Sequence, residues 1–213
     1  MNKAIRVVGC LVGMFVLGVS AAQAQGPAAG SWNVGLRSGY SISERNIDSV
    51  PINFHIGYIL FKGKPWILPA GAFEIATEPF LSAVTRHSNQ REGSSILRNG
   101  GTEPVKLGRK RDASIEAGLM LPVLSYHFDL GSRLSPYIEG GLGILYHDYR
   151  GYDLGGGFTF TEMAGAGLSY FLHDNVSLSL GYRFRHTSNA SLYDENDGLN
   201  SHSLLAGVSF FLP

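Results

Sequence analysis

The side chains best suited to chemistry lie near the end of the 213-residue chain, in the segment His186-Thr187-Ser188-Asn189-Ala190. A second polar segment, Asn196-Asp197-Gly198-Leu199-Asn200, follows closely. A serine and a histidine two residues apart on one face of a strand can reach each other, as a nucleophile and its general base must. These residues therefore indicate nucleophilic chemistry, provided that a strand carries them.

Eight stretches of the chain alternate apolar and polar residues with a period of two, which is typical of strands with two different faces. They cover residues 32–41, 52–60, 72–85, 113–128, 138–146, 158–172, 176–185 and 203–212. In the fourth stretch the apolar face is predicted to carry Ile115, Leu119, Leu121 and Val123. The even-numbered residues of the seventh stretch are apolar. Continuing this parity places His186 and Ser188 on the apolar face, because only a register shift moves a side chain to the other face. Asn200 and His202 fall on the apolar face of the eighth stretch by the same argument.

The connections between these stretches indicate the fold class. Segments 41–51, 86–112, 147–157 and 189–199 are long and polar, 129–134 and 172–175 are tight, and 62–71 is intermediate. Long loops at one end and short turns at the other are typical of outer-membrane barrels, and closure removes the strand edges that lipid cannot satisfy. We therefore predict an all-β fold, an eight-stranded antiparallel transmembrane β-barrel in the bacterial outer membrane.

The two faces of such a barrel have different requirements. Aromatic residues at strand ends are expected at the membrane interfaces, and they are Trp32, Tyr40, Tyr126, Tyr146 and Tyr170. Charged residues of the polar face are expected to pair inside the barrel, and they are Glu74, Glu78, Glu116, Glu139, Arg183 and Arg185. Because side chains fill an eight-stranded barrel, we expect a plug and not a pore.

The first 24 residues have the layout of a secretory signal peptide, with a positively charged start, an apolar run at 7–19 and an A-x-A cleavage site at 22–24. The apolar run is shorter than the roughly 20 residues that a membrane-spanning helix needs. Cleavage after Ala24 leaves a barrel domain of residues 25–213, exported through the periplasm. It also removes the single cysteine, Cys10, so we expect no disulfide.

Composition and motifs exclude several classes of protein. The barrel domain has 15 basic and 17 acidic residues, and this balance predicts no nucleic-acid partner. The sequence contains no G-x-S-x-G elbow, no H-E-x-x-H helix and no P-loop. The seven histidines show no close-set ligand spacing, so we predict neither a metal nor a cofactor.

The two polar segments resemble the signature of the PagL-type lipid A 3-O-deacylases, also grouped as acyloxyacyl hydrolases. In that family a His-x-Ser-Asn motif ends the seventh strand of an eight-stranded barrel. The matching residues here are His186, Ser188 and Asn189, followed by Asn-x-Gly at 196–198, and the residue match lies mainly within 181–213. The resemblance implies that Ser188 attacks an acyl ester of lipid A and that His186 acts as base and later as acid.

The resemblance also implies supporting groups. The best-known members have a glutamate fourteen residues after the histidine, where this chain has Asn200. An asparagine can fix a histidine tautomer but supplies no charge for the imidazolium. Loop carboxylates are candidates to replace that charge, and they are Asp194, Glu195 and Asp197. Groups that could stabilise the oxyanion are Asn189, Asn196 and the backbone amides near Ala190.

Three other polar features have weaker interpretations. The cluster Lys106, Arg109, Lys110 and Arg111 either contacts lipid A phosphates or forms a solvated loop. His87-Ser88-Asn89 lacks the intervening residue of the motif, and we expect an ordinary polar loop there. His202 is expected to support the site or to lie at the interface, without a catalytic role.

The leading hypothesis is an outer-membrane esterase that hydrolyses an ester-linked 3-hydroxyacyl chain of lipid A by a Ser-His mechanism. An outward-facing Ser-His pair suits an ester held among lipid acyl chains, whereas a soluble substrate would not need that placement. The alternatives are a non-catalytic barrel with a structural or surface-interaction role and an outer-membrane phospholipase. The expected partners are lipopolysaccharide and outer-membrane lipids, and homo-oligomerisation stays open.

Overall fold

The computed structural model describes residues 26–44, 47–65, 67–87, 94–96, 102–104, 114–148, 157–192 and 198–213. The strands are β1 (Trp32–Ser43), β2 (Ile47–Gly63), β3 (Gly71–His87), β4 (Ser94–Ile96), β5 (Thr102–Pro104), β6 (Ser114–Phe128), β7 (Leu134–His147), β8 (Gly157–His173), β9 (Val176–Ser188) and β10 (Leu199–Leu212). The predicted signal peptide with Cys10 and the predicted loop residues 88–89, 106–111 and 193–197 lie outside the described residues.

Eight of these strands close into an antiparallel barrel in the order β1-β10-β9-β8-β7-β6-β3-β2. β1 pairs with β10 along its whole length, with Trp32 opposite Leu212 and Ser43 opposite Ser201. β4 and β5 form a separate two-stranded sheet within the connection between β3 and β6. The predicted all-β, eight-stranded antiparallel barrel is confirmed. We call the end that carries the β3–β6, β7–β8 and β9–β10 connections the upper rim.

The connection between β1 and β2 is shorter than predicted. A loop over 41–51 was expected, but β1 continues to Ser43 and β2 begins at Ile47. Pairing persists through this segment, since Ser41 lies opposite Ser49. The prediction was wrong because it took polar composition as a sign of a loop, whereas strand ends that rise above an apolar belt can carry polar side chains.

The alternation of each strand separates an apolar outer face from a polar inner face. Most outward side chains are exposed and apolar, and most inward ones are buried serine, threonine or charged residues. One assignment was wrong: Val123 was predicted on the apolar outer face, but it is fully buried inside the barrel. The pairing of β6 with β7 shifts between Met120 and Val123, and such a bulge inverts the parity of the residues that follow it.

The charged residues predicted to pair inside the barrel form a connected network. Glu78 accepts hydrogen bonds from Arg183 Nη1 at 2.7 Å and from His55 Nδ1 at 2.7 Å, and it lies 3.4 Å from Arg37 Nη1. Glu139 accepts hydrogen bonds from the same two arginines. Glu74 also contacts His55 and His127, and Glu116 pairs with Arg185. The prediction of internal ion pairs is confirmed, while the two histidines and Arg37 were not foreseen in it.

The aromatic residues at strand ends are only partly arranged as predicted. Trp32, Tyr40 and Tyr146 are exposed on the outer face, as an interfacial girdle requires. Tyr126 is buried instead, because its hydroxyl donates a hydrogen bond to the carbonyl of Pro69. No helix in the described part of the chain is long and apolar enough to cross a membrane.

The buried network predicts a large loss of stability when one charge is removed. Glu78→Gln leaves Arg37, Arg183 and His55 with one carboxylate fewer in a water-poor interior, so we expect a loss of about 3–5 kcal/mol in the free energy of unfolding. Urea unfolding of the refolded barrel, followed by tryptophan fluorescence, measures the change.

Asp129→Asn is the matched control for this measurement. Asp129 is partly exposed and lies 3.8 Å from Lys62, and exposed pairs of this kind contribute about 0–1 kcal/mol. Equal losses in the two variants would contradict a stabilising role for the internal network.

Candidate active site

His186 and Ser188 lie at the upper end of β9 and face out of the barrel. Thr187, between them, is 1% exposed and donates a hydrogen bond to Thr161 Oγ1 in the interior. Alternation along the strand therefore turns His186 and Ser188 outward, and both side chains are half-buried. This is the orientation that parity predicted from the sequence.

Asn200 on β10 lies directly opposite His186 in the ladder between these strands. His186 Nδ1 and Asn200 Oδ1 are 2.7 Å apart. An amide oxygen only accepts hydrogen bonds, so the imidazole donates from Nδ1 and leaves Nε2 to accept a proton. The predicted pair is thus in contact, and it sets the tautomer that a general base needs.

Asn200 also contacts a residue that the sequence analysis did not single out. Its Nδ2 donates a hydrogen bond to Glu44 Oε2 at 3.1 Å, and the Glu44 amide donates to the Asn200 carbonyl at 3.2 Å. Glu44 immediately follows β1, which is the strand next to β10 in the closed barrel. Glu44, at the end of β1, therefore extends the row of polar side chains that His186 on β9 and Asn200 on β10 begin.

Ser188 lies two residues above His186 on the same strand, a rise of about 7 Å. Among the hydrogen bonds of the described residues, none joins the two side chains. Such contacts are often long in a free enzyme and tighten when substrate binds.

The backbone after Ser188 is strained. Ala190 and Ser191 both have positive φ, at 50° and 63°, and the Leu192 amide donates to the Asn189 carbonyl at 2.9 Å, so residues 189–192 form a tight turn. Non-glycine residues adopt this conformation at a cost of about 1–2 kcal/mol each. Strain of this kind clusters at functional sites. Asn189 is fully buried beneath the turn.

The backbone at residue 198 explains why the Asn-x-Gly segment ends in a glycine. Its φ is +76°, and a Cβ added there would lie 2.7 Å from His186 Cε1 and 3.2 Å from Nε2. The imidazole therefore packs directly against the backbone of residue 198. Any larger side chain would push the ring away from its place beside Ser188.

A furrow runs down the outer wall beside the Ser-His pair. It has a volume of about 430 Å³ and lies between β6 and β9. Glu162 and Leu142 line its upper end, level with His186. Two residues lower on each strand, it is lined by Gly140, Ala164 and Phe184. The furrow exists because outward positions 140 and 164 carry small residues where neighbouring positions carry large ones.

Not all predicted site residues take part. His202 faces outward, but it pairs with the Tyr182 hydroxyl at 2.6 Å and packs against Phe184. Asn196, the loop carboxylates and the basic cluster lie outside the described residues. Among the described residues, no group of three or more histidine, cysteine, aspartate or glutamate side chains has the geometry to hold a metal ion.

Comparison with known proteins identifies the family. A family model described as "Lipid A 3-O-deacylase (PagL)" matches residues 80–209, which is more than half of the chain. The chain belongs to the PagL family. Lipid A deacylase PagL of Pseudomonas aeruginosa is 38% identical over 86 residues, which cover 39% of this chain and 47% of that relative. The alignment thus spans about half of that protein.

The fold agrees with the family assignment. A solved structure described as the crystal structure of the outer membrane enzyme PagL matches with a TM-score of 0.55 and 20% identity, over 82% of this chain and 97% of that chain. Membership of the PagL family, together with the apolar outer face, places the chain in the bacterial outer membrane. The upper end of β9 and all of β10 except its last residues lie within the segment that matches the PagL family.

Gly198→Ala tests the contact between Gly198 and the imidazole. The added methyl group would displace His186, and a displacement of about 1 Å can lower a rate about 100-fold. Release of an acyl chain from lipid A, the reaction after which the PagL family is named, provides the measurement.

Gly131→Ala is the control for backbone strain. Gly131 has a φ of +64°, and a Cβ there would meet nothing within 4 Å. A similar loss of activity in both variants would show that strain or misfolding, and not contact with His186, is responsible.

Proposed function

We propose that the protein is an outer-membrane esterase that hydrolyses an ester-linked 3-hydroxyacyl chain of lipid A, using Ser188 as nucleophile and His186 as general base. The observation that carries the proposal is the outward-facing Ser188 beside an imidazole whose Nδ1 is bound to Asn200. Membership of the PagL family supports the lipid A substrate. We further propose that residues 1–24 are a signal peptide, removed after Ala24 during export.

The proposed reaction proceeds in two halves. Ser188 Oγ attacks the ester carbonyl while His186 Nε2 takes the hydroxyl proton, and the resulting imidazolium returns that proton to the departing sugar oxygen. A water molecule then attacks the acyl-serine, with His186 again acting as base. The products are a free fatty acid and a lipid A with one hydroxyl group exposed, and Ser188 is regenerated.

The tetrahedral intermediates of this reaction need hydrogen-bond donors for their oxyanion. The tight turn at 189–192 directly follows the nucleophile and turns the chain sharply, so its backbone amides at 189 and 190 are the proposed donors. Asn196 is the proposed side-chain donor, since the Asn189 side chain is fully buried. Removal of one such donor in other hydrolases lowers the rate by about 10²–10³.

The furrow supports a long apolar chain on the acyl group that is transferred to Ser188. It begins level with His186 and descends the lipid-facing wall, so a chain esterified next to Ser188 can lie in it without leaving the bilayer. Because lipid tails are as apolar as the furrow, close van der Waals packing, and not transfer from water, favours the acyl chain in this position. We propose that the basic cluster Lys106, Arg109, Lys110 and Arg111 contacts the lipid A phosphates.

The first test of the function compares lipid A from cells that express the wild type, Ser188→Ala or His186→Ala. Mass spectrometry should show the loss of one hydroxyacyl group only when both side chains are intact, because either substitution removes a group that the first step needs. The rate is expected to fall by about 10³ or more in each variant.

Ser179→Ala is the matched control, because Ser179 lies on the same strand but faces the interior. Unchanged lipid A with the wild-type protein would refute the proposal. Release of fatty acid from phospholipid vesicles in the same experiment would instead favour a phospholipase.

Gly140→Leu tests the furrow. A Cβ at residue 140 meets only the Met163 carbonyl, at 3.7 Å, so the larger side chain fits the strand and fills the furrow. We expect the preference for a tetradecanoate ester over a hexanoate ester, measured as the ratio of kcat/KM values, to fall about tenfold. Ala206→Leu, on the outer face of β10 and outside the furrow, should leave this ratio unchanged. An equal preference in all three proteins would contradict acyl binding in the furrow.

A further inference from the structure

Asn200 stands where the family has a glutamate, and no carboxylate among the described residues contacts the imidazole directly. We propose that Glu44 supplies the missing charge through Asn200, as a positioning residue in a row Ser188–His186–Asn200–Glu44. The inference rests on the proposed Ser-His chemistry and names a fourth participant in it.

The closure of the barrel places Glu44 in this row. β1 pairs with β10 up to Ser43 opposite Ser201, and the bond from the Glu44 amide to the Asn200 carbonyl, at 3.2 Å, extends the ladder by one residue. Glu44 has the same parity as the exposed outward residues Tyr40 and Ile42. Its carboxylate therefore lies on the outer face beside the Asn200 side chain, and Oε2 is 3.1 Å from Nδ2.

The charge of Glu44 determines the orientation of the Asn200 amide. A carboxylate only accepts hydrogen bonds, so the NH₂ group of Asn200 must face Glu44 and the amide oxygen must face His186. The amide oxygen in turn requires a proton on His186 Nδ1, at 2.7 Å. Nε2 is then the unprotonated nitrogen, which is the form that can take the proton of Ser188.

Glu44 also supplies the negative charge that Asn200 lacks. The imidazole becomes positive when it takes the serine proton, and a carboxylate two hydrogen bonds away stabilises that state through the polarised amide. Among the described residues, Glu162 on β8 is a second carboxylate near the imidazole, since it lies opposite His186 in the ladder. It forms no hydrogen bond or ion pair with a described residue, and Nδ1 is turned away from it, toward β10.

The experiment measures Ser188 reactivity without lipid A. An alkyl fluorophosphonate reacts with an activated serine: the Oγ–P bond forms, the P–F bond breaks, fluoride leaves and His186 takes the proton. Glu44→Gln keeps the size of the side chain but removes the charge, and its own NH₂ group can turn the Asn200 amide around. We expect the maximal labelling rate at Ser188 to fall about 10- to 100-fold, with unchanged half-saturation by the probe.

Asp48→Asn is the matched control, because Asp48 is a carboxylate of the same hairpin that bonds to Tyr40 and not to Asn200. It should label at the wild-type rate. Glu162→Gln distinguishes the roles of the two carboxylates. If this variant labels more slowly while Glu44→Gln labels at the wild-type rate, the charge belongs to Glu162 and the proposal is overturned. Heat-modifiable gel migration confirms a closed barrel for every variant.

A double variant that moves the carboxylate from residue 44 to residue 200 tests whether the labelling rate can be restored. In Glu44→Gln/Asn200→Glu the charge contacts His186 directly, so we expect labelling to return to the wild-type rate or above it. A purely structural role for Glu44 would leave the double variant as slow as the single one. That result, or wild-type labelling by Glu44→Gln, would overturn the proposal.

The test of Glu44 can be distinguished from the test of the proposed function. Wild-type protein that labels at Ser188 but leaves lipid A unchanged would refute the substrate, while the comparison of the Glu44 variants would still stand. Wild-type protein that does not label at Ser188 would overturn both.

Discussion

Backbone hydrogen bonding in lipid is the constraint on which this structure depends. Each N–H and C=O group within the bilayer needs a partner, and a closed antiparallel ladder provides one for every strand. Closure pairs β1 with β10 and sets the register of all eight strands, and alternation then decides which side chains meet lipid and which meet the interior. The candidate active site follows from this geometry, because residues at one level on neighbouring strands form a continuous row on the outer wall.

The interior and the outer wall use polar groups for different purposes. Inside, Glu78 and Glu139 share Arg37 and Arg183 in a network that leaves few charges without a partner in the middle of the barrel. Outside, polar groups occur mainly at the upper rim, where apolar strands rise out of the lipid. A nucleophile at this level meets the ester bonds of membrane lipids at the depth where those bonds lie. The outward position of Ser188 is thus consistent with the lipid substrate that we propose.

The site also depends on unusual backbone conformations. Two consecutive residues with positive φ, Ala190 and Ser191, turn the chain immediately after the proposed nucleophile, and Gly198 lets the imidazole pack against bare backbone. Both features lie in the β9–β10 connection, whose ends are held by the paired strands below. The barrel therefore provides the rigidity that keeps a strained turn and a histidine in fixed positions.

Much of the fold and of the candidate site could be predicted from the sequence, because these features depend on the residue pattern of single strands. The period-two alternation predicted the eight barrel strands, the outward direction of His186 and Ser188, and the internal ion pairs, since each depends on one strand and its parity. The loop at 41–51 and the face of Val123 were wrong, because polar strand ends and a bulge do not alter local composition. Glu44 was missed, since it is 156 residues from Asn200 in the chain. Parity along a strand is determined by the sequence itself, whereas the contact between the first strand and the last exists only once the barrel closes.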